Sequence, residues 1–225
     1  MPPMVLPFFL MASNDMSTTI RDIMYTAPVI PVITLDRTED ALPLAECLIN
    51  AGLVVLEITL RTPAALEAIS LIRKAFPLAI TGAGTVINPQ TLDQAINAGA
   101  NFIVSPGATP ALLDAASANG IPILPGVNTP SEIMALLDRG ITAMKFFPAE
   151  AAGGIPMLSA IAGPLPQALF CPTGGIKPGN AKEYLALANV ACVGGTWLTT
   201  KALMAEKDWS EIGRLAAEAA GLVSN

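Results

Sequence analysis

An α/β fold, a single (β/α)8 TIM barrel, is what the sequence predicts, on three observations. Short apolar runs suited to strands alternate with longer segments whose apolar residues recur at three/four spacing. The alternation repeats eight times after residue 28, in units of roughly 20–25 residues, the pattern of parallel strands with crossover helices. No linker or composition shift divides the chain. A doubly wound open sheet is the alternative, weakened by the absence of a G-x-G-x-x-G dinucleotide fingerprint.

In chain order the strand-like runs are PVIPVITL (28–35), LVVLEITL (53–60), LAITGAG (78–84) and NFIVSPG (101–107). They continue with IPILPG (121–126), TAMKFFP (142–148), ALFCPTGG (168–175) and VACVGG (190–195). Their near-continuous apolar character is that of strands covered on both faces. Between them, DALPLAECLINAG (40–52), PAALEAISLIRKAF (63–76) and NPQTLDQAINAGA (88–100) carry helical periodicity, and two of them run into Gly, an expected helix stop. Ahead of the first unit, MPPMVLPFFLMASND (1–15) is apolar but has no Lys or Arg before Arg21, against a secretory signal. Its apolar run is shorter than the ~20 residues that span a bilayer, and three early prolines disfavour a helix. Residues 1–19 are therefore expected to form a disordered extension, with Met16 as an alternative start, and 20–225 the barrel domain.

Composition bounds the chemistry. The 225 residues include 12 basic and 18 acidic groups and no histidine. Histidine-dependent nucleophile pairs, acid/base chemistry and metal sites are excluded, leaving carboxylate, lysine, tyrosine, cysteine or water to move protons. Only 13% of residues are charged and 52% are hydrophobic, so the chain buries much of itself. A net charge of −6 argues against a nucleic-acid partner, which needs cationic contacts to phosphates. Cys47, Cys171 and Cys192 are too few and scattered for a disulfide framework or zinc cluster, and are expected to be small buried residues in a reducing cytoplasm.

In a barrel, chemistry sits where strands run into βα loops. In VVLEITLRTP (54–63), Val55, Glu57, Thr59 and Arg61 share one strand face. Two opposite charges there read either as a buried Glu–Arg pair that organises the core, or as a carboxylate for proton transfer beside a guanidinium for an anionic substrate. Lys145, in ITAMKFFPAE (141–150), lies within an apolar strand, whereas Lys74, Lys177, Lys182, Lys201 and Lys207 fall in helices or loops. It reads either as a snorkelling surface lysine or as an amine that forms a Schiff base with a ketone. Burial favours the free amine such chemistry needs and a carboxylate neighbour opposes it. Glycines in TGAGTV (81–86), CPTGGI (171–176) and VGGTW (193–197) end three strands. After the seventh and eighth strands, Gly174, Gly175, Gly194, Gly195 and Thr196 read as a phosphate cradle or as tight turns without a ligand.

Six ordered motifs then carry a resemblance: LEITLRTP (56–63), GAGTVINPQ (82–90), SPG (105–107), MKFFPAE (144–150), FCPTGGI (170–176) and VGGTWL (193–198). From about residue 20 onward the sequence resembles the 2-keto-3-deoxy-6-phosphogluconate (KDPG) and 4-hydroxy-2-oxoglutarate (KHG) aldolase family of class I pyruvate aldolases. The resemblance implies that Lys145 is the Schiff-base lysine and Glu57 the general acid/base. It implies that Arg61 and Thr85 hold the pyruvate carboxylate and keto-acid end, and that Thr173 influences stereochemical choice. Gly174, Gly175 and Thr196 match phosphate-binding positions; Thr196 stands where many members have serine, keeping the hydroxyl. It further implies cleavage of KDPG to pyruvate and D-glyceraldehyde 3-phosphate, with 4-hydroxy-2-oxoglutarate as a second substrate. No cofactor, no metal, no membrane partner, a cytoplasmic location and a homotrimer complete the expectation. The rival readings are a phosphosugar isomerase or epimerase that uses Glu57 as base without a covalent lysine, and a non-catalytic barrel scaffold.

Overall fold

The computed structural model describes residues 18–222, so the expected extension, apart from Thr18 and Thr19, lies outside the described residues. The strands are β1 (Val29–Ile33), β2 (Val55–Thr59), β3 (Ile80–Gly84), β4 (Phe102–Val104) and β5 (Ile123–Leu124). They continue with β6 (Gly126–Val127), β7 (Ala143–Phe146), β8 (Leu169–Pro172) and β9 (Val193–Gly195). The helices are α1 (Ile20–Tyr25), α2 (Ala41–Asn50), α3 (Ala65–Ala75), α4 (Pro89–Asn97) and α5 (Pro110–Ala118). After them come α6 (Pro130–Leu137), α7 (Gly154–Ala162), α8 (Pro178–Leu185), α9 (Lys201–Glu206) and α10 (Trp209–Ala220). Each of the eight strand-like runs contains a strand, trimmed at its ends.

All the ladders are parallel, as α/β crossovers require, but they form two arcs: β5-β4-β3-β2-β1-β9 and β6-β7-β8. The expected uninterrupted eight-stranded ladder is thus divided, for two local reasons. Pro125 splits the run 121–126 into β5 and β6, because proline has no N–H to give a ladder; its carbonyl still accepts from Lys145 N at 2.8 Å. Between β8 and β9 the links are single bridges, Phe170 to Val190 and Thr173 to Gly194. Three steps on one chain face four on the other, which is a bulge.

The strands separate two apolar layers, as alternation of side chains dictates. Ile30, Val55, Phe102, Val104, Leu124, Ala143, Leu169, Cys171 and Cys192 pack together on the concave side. Val29, Ile33, Leu56, Ile58, Ile103, Met144, Phe146 and Phe170 face the other way, against helical residues such as Leu44, Leu48, Ile69 and Leu92. Helices α2 and α4 stop where Gly52 and Gly99 adopt φ of +97° and +92°, a conformation that L side chains resist.

Helix α1 was not among the expected helices, because six residues are too few to show a period. Thr19 and Asp22 cap it reciprocally, and Arg21 Nη1 donates to Thr142 Oγ1 at 3.1 Å. Ile23 and Met24 join the concave cluster, so α1 plugs that layer from the end where β1 begins. Met24→Ala should therefore lower unfolding free energy by about 2–5 kcal/mol, the cost of a cavity at a fully buried site. Leu78→Ala, at a side chain 81% exposed, should stay within about 0.5 kcal/mol of wild type. Denaturant titration of both variants checks the contrast.

Candidate active site

Glu57 on β2 and Lys145 on β7 lie 88 positions apart in sequence and meet inside the concave layer. Lys145 Nζ stands 3.3 Å from Glu57 Oε1, with the residues only 4% and 3% exposed. Their strands are not neighbours. The contact arises because Val55/Glu57 and Ala143/Lys145 share the inward parity of their strands. The other lysines, Lys74, Lys177, Lys182, Lys201 and Lys207, are exposed. Lys145 is not a snorkelling surface side chain.

The contents of neighbouring strands make room for the pair. A Cβ at Gly84 would overlap the Glu57 carboxylate, and one at Gly82 would enter the Phe102 ring. The glycines of TGAGTV therefore serve packing around Glu57. On the amine side, the Phe147 ring centroid lies 5.4 Å from Lys145 Nζ. Cys171 is the β8 residue in register with Lys145, and Cys192 lies against Cys171. Contact with Cys171, complete burial and the negative charge of Glu57 push the Cys192 thiol well above its ordinary range. Cys171 and Cys192 thus match the expected buried thiols, whereas Cys47 is only partly buried and sits near Trp209 O at 3.0 Å.

The Glu57–Arg61 pair considered from sequence does not form. Strand β2 ends at Thr59, Arg61 turns out to an exposed position at the mouth, and its Nε donates to Thr85 Oγ1 at 3.0 Å. No partner engages its Nη groups among the described residues, so they can receive an anion. Thr85 has φ of +61°, a sparsely populated conformation for a β-branched residue, and so presents its hydroxyl to Arg61 at a conformational cost. Sequence reasoning placed Thr59 on this face without a role and missed Thr34. Thr59 donates to Ile33 O at 2.9 Å, so the 2.9 Å contact between the hydroxyls has Thr34 as donor. The lone pairs of Thr34 remain at the mouth; a threonine on the inward parity of β1 was the available signal.

At the ends of β8 and β9, Thr173 is buried beside Gly194, where a Cβ would overlap its hydroxyl. Gly174 and Gly175 follow with φ of +98° and +83°. Thr196 is exposed at the start of the 3-10 turn Trp197–Thr199 and its side chain makes no capping bond there. At Gly195 a Cβ would enter the Trp197 ring. The Thr173–Gly194 bridge brings the two strand ends together, with Gly174 and Gly175 following on one side and Gly195 and Thr196 on the other. Two surface hollows of about 470 and 460 Å³ lie elsewhere, one under the Asp114–Arg139 ion pair and one outside Glu150 and Asn180.

A lysine amine, a carboxylate within reach of the same atom, a cation at the mouth and a glycine turn beyond can together attack a ketone, move protons and anchor two anionic ends. The pair also sets an energetic constraint. Lys145→Met should cost ~3–5 kcal/mol by stranding a buried carboxylate, and adding Glu57→Gln should restore much of the loss. A double-mutant cycle by denaturation measures the coupling.

The chain matches the family described as KDPG and KHG aldolase over residues 20–215. It is 50% identical over 206 residues to the KHG/KDPG aldolase of Escherichia coli, covering 92% of this chain and 97% of that one. Identity is also 50% over 206 residues to the 2-dehydro-3-deoxy-phosphogluconate aldolase of Dickeya dadantii, with the same coverage. Among solved structures, KDPG aldolase from Legionella pneumophila, with pyruvate captured at low pH as a covalent carbinolamine intermediate, superposes with a TM-score of 0.88. That comparison has 49% identity and covers 89% of this chain and 98% of the other. The chain belongs to the KDPG and KHG aldolase family.

Proposed function

We propose that this protein is a class I aldolase that cleaves 2-keto-3-deoxy-6-phosphogluconate to pyruvate and D-glyceraldehyde 3-phosphate, and that it also accepts 4-hydroxy-2-oxoglutarate. The observation that carries the reading is the buried Lys145–Glu57 contact of 3.3 Å, in a chain of this family. The carbinolamine of the Legionella relative supports covalent capture of a ketone.

In this reading Lys145 Nζ adds to the C2 carbonyl, and loss of water leaves a protonated imine. Glu57 takes the proton of the C4 hydroxyl. The C3–C4 bond breaks, its electrons flow into the imine as an enamine, and the aldehyde leaves. Glu57 then returns a proton to C3, and water hydrolyses the resulting imine to pyruvate and free Lys145. Proximity helps twice: one carboxylate oxygen already lies at the amine, and the Phe147 face and apolar layer around it keep bulk water from the imine. Arg61 and Thr85 hold the C1 carboxylate, Thr173 borders the new stereocentre, and Gly174, Gly175, Gly194, Gly195 and Thr196 receive the phosphate.

The proposal includes a single domain over 20–225, with the two strand arcs forming one closed (β/α)8 barrel. It also includes a homotrimer, implied by the resemblance, and a cytoplasmic location, which fits three unpaired cysteines among the described residues. No helix among these residues is long and apolar enough to cross a membrane.

Pyruvate release from KDPG, followed in a coupled assay, tests the function directly. Glu57→Gln should lower kcat by ~10²–10⁴-fold, the range for removing a general acid/base. Cleavage that survives Lys145→Ala at the wild-type rate would contradict covalent catalysis and point to a base acting alone. Replacing Thr196 by leucine should raise KM for KDPG and leave covalent capture of pyruvate intact, measured by mass after reduction.

A further inference from the structure

The Gly174–Gly175 turn is held from behind. Gly174 O accepts from Glu150 N at 3.1 Å, and Gly175 O accepts from Asn180 Nδ2 at 3.4 Å. In a trans peptide the N–H points away from the carbonyl of the same plane. The N–H groups of Gly175 and Ile176 therefore face the opposite side, and neither has a protein acceptor among the described residues. Two adjacent free N–H groups ahead of α8 form a concavity suited to an anion.

Glu150 is in turn fixed by a buried group that the catalytic scheme does not use. The Tyr184 hydroxyl, on α8, donates to Glu150 Oε1, and the Tyr184 side chain is fully buried. Burial, then the bond to Glu150 and its negative charge, push the Tyr184 hydroxyl well above its ordinary range, so it remains a donor. The Glu150 stem lies on Gly175, where a Cβ would overlap its Cβ and Cγ. Gly154 leaves the space for the bond, since a Cβ there would stand 2.9 Å from the Tyr184 hydroxyl. The next residue back, Ala149, donates to Thr173 O at 2.8 Å. The loop that follows Lys145 is thereby fastened to the turn that follows Thr173.

We propose that Glu150, clamped by Tyr184, is a positioning residue for the substrate's phosphate: it holds the carbonyl edge of the Gly174–Gly175 turn so that the opposite N–H edge faces the anion. The proposal rests on reading that turn as the phosphate site. It also predicts an unusual sign. A carboxylate near a phosphate, acting only as a charge, weakens binding, so its removal would tighten binding. A carboxylate that positions the cradle has the opposite effect.

The test uses the full-length protein with Tyr184→Phe, Glu150→Ala and Glu150→Gln. Steady-state cleavage of KDPG and its competitive inhibition by inorganic phosphate are measured with the rate of borohydride-trapped pyruvate capture at Lys145. Tyr184→Phe and Glu150→Ala should raise both KM and the phosphate inhibition constant roughly 3- to 10-fold, with kcat and pyruvate capture within about twofold of wild type. Glu150→Gln, which keeps the stem and an acceptor, should raise them less than Glu150→Ala. Undiminished capture also shows that the variants fold. Unchanged or tighter phosphate inhibition in the first two variants, with an inhibited wild type, overturns the positioning role alone. A parallel loss of pyruvate capture overturns it too. A wild type that cleaves KDPG without phosphate inhibition overturns the reading of the turn and the proposal with it.

Discussion

A lysine and a glutamate, both almost completely removed from water, share one hydrogen bond at 3.3 Å. Taking two such charges out of water costs several kcal/mol each, and their attraction compensates only when the geometry is good. The surrounding residues are chosen to keep that geometry. Gly84 gives the carboxylate its space and Gly82 admits Phe102. Cys192 keeps its proton, so no second negative charge arises beside Glu57. A hydrophobic pair of similar volume would serve stability at least as well. Stability alone therefore gives no reason for an ion pair here, which is consistent with the chemistry proposed for it.

Around that pair the parallel strands arrange different residue types at different depths. The deep end is closed by Ile23 and Met24 of α1 and carries only packing. At the level of the pair, the charged groups are the Lys145 amine and the Glu57 carboxylate. Above it, Arg61, Thr85, Thr34 and Thr173 offer a guanidinium and hydroxyls at the mouth. The loops after β7 and β8 are tied together by Ala149 to Thr173 and by Glu150 to Gly174. The spacing between the Lys145 strand end and the glycine turn is thus set by backbone hydrogen bonds.

Much of this was legible in the sequence because it depends on local pattern. The parity of Val55 and Glu57 follows from period two, and Lys145 stood out as a charge in an apolar strand. Partnership did not follow from pattern. Alternation puts Glu57 and Arg61 on one strand face and leaves a Glu–Arg pair open as one reading, whereas the strand ends at Thr59 and the partner of Glu57 comes from a strand across the concave layer. The role of Gly84 was hidden for the same reason, since its constraint is a side chain on another strand. The split at Pro125 was foreseeable from the missing N–H, but the bulge between β8 and β9 depends on register, which no single run specifies. Tyr184 belongs to none of the six motifs, and only its contact with Glu150 gives it a further role.

In the proposed chemistry the buried amine of Lys145 is a nucleophile rather than a structural cation. Incubation with pyruvate, reduction with borohydride and peptide mapping by mass spectrometry test it most directly. A reduced pyruvyl adduct is expected on Lys145 and on no other lysine, and none in Lys145→Ala. A folded wild-type protein that forms no adduct, or forms it on an exposed lysine instead, would contradict it.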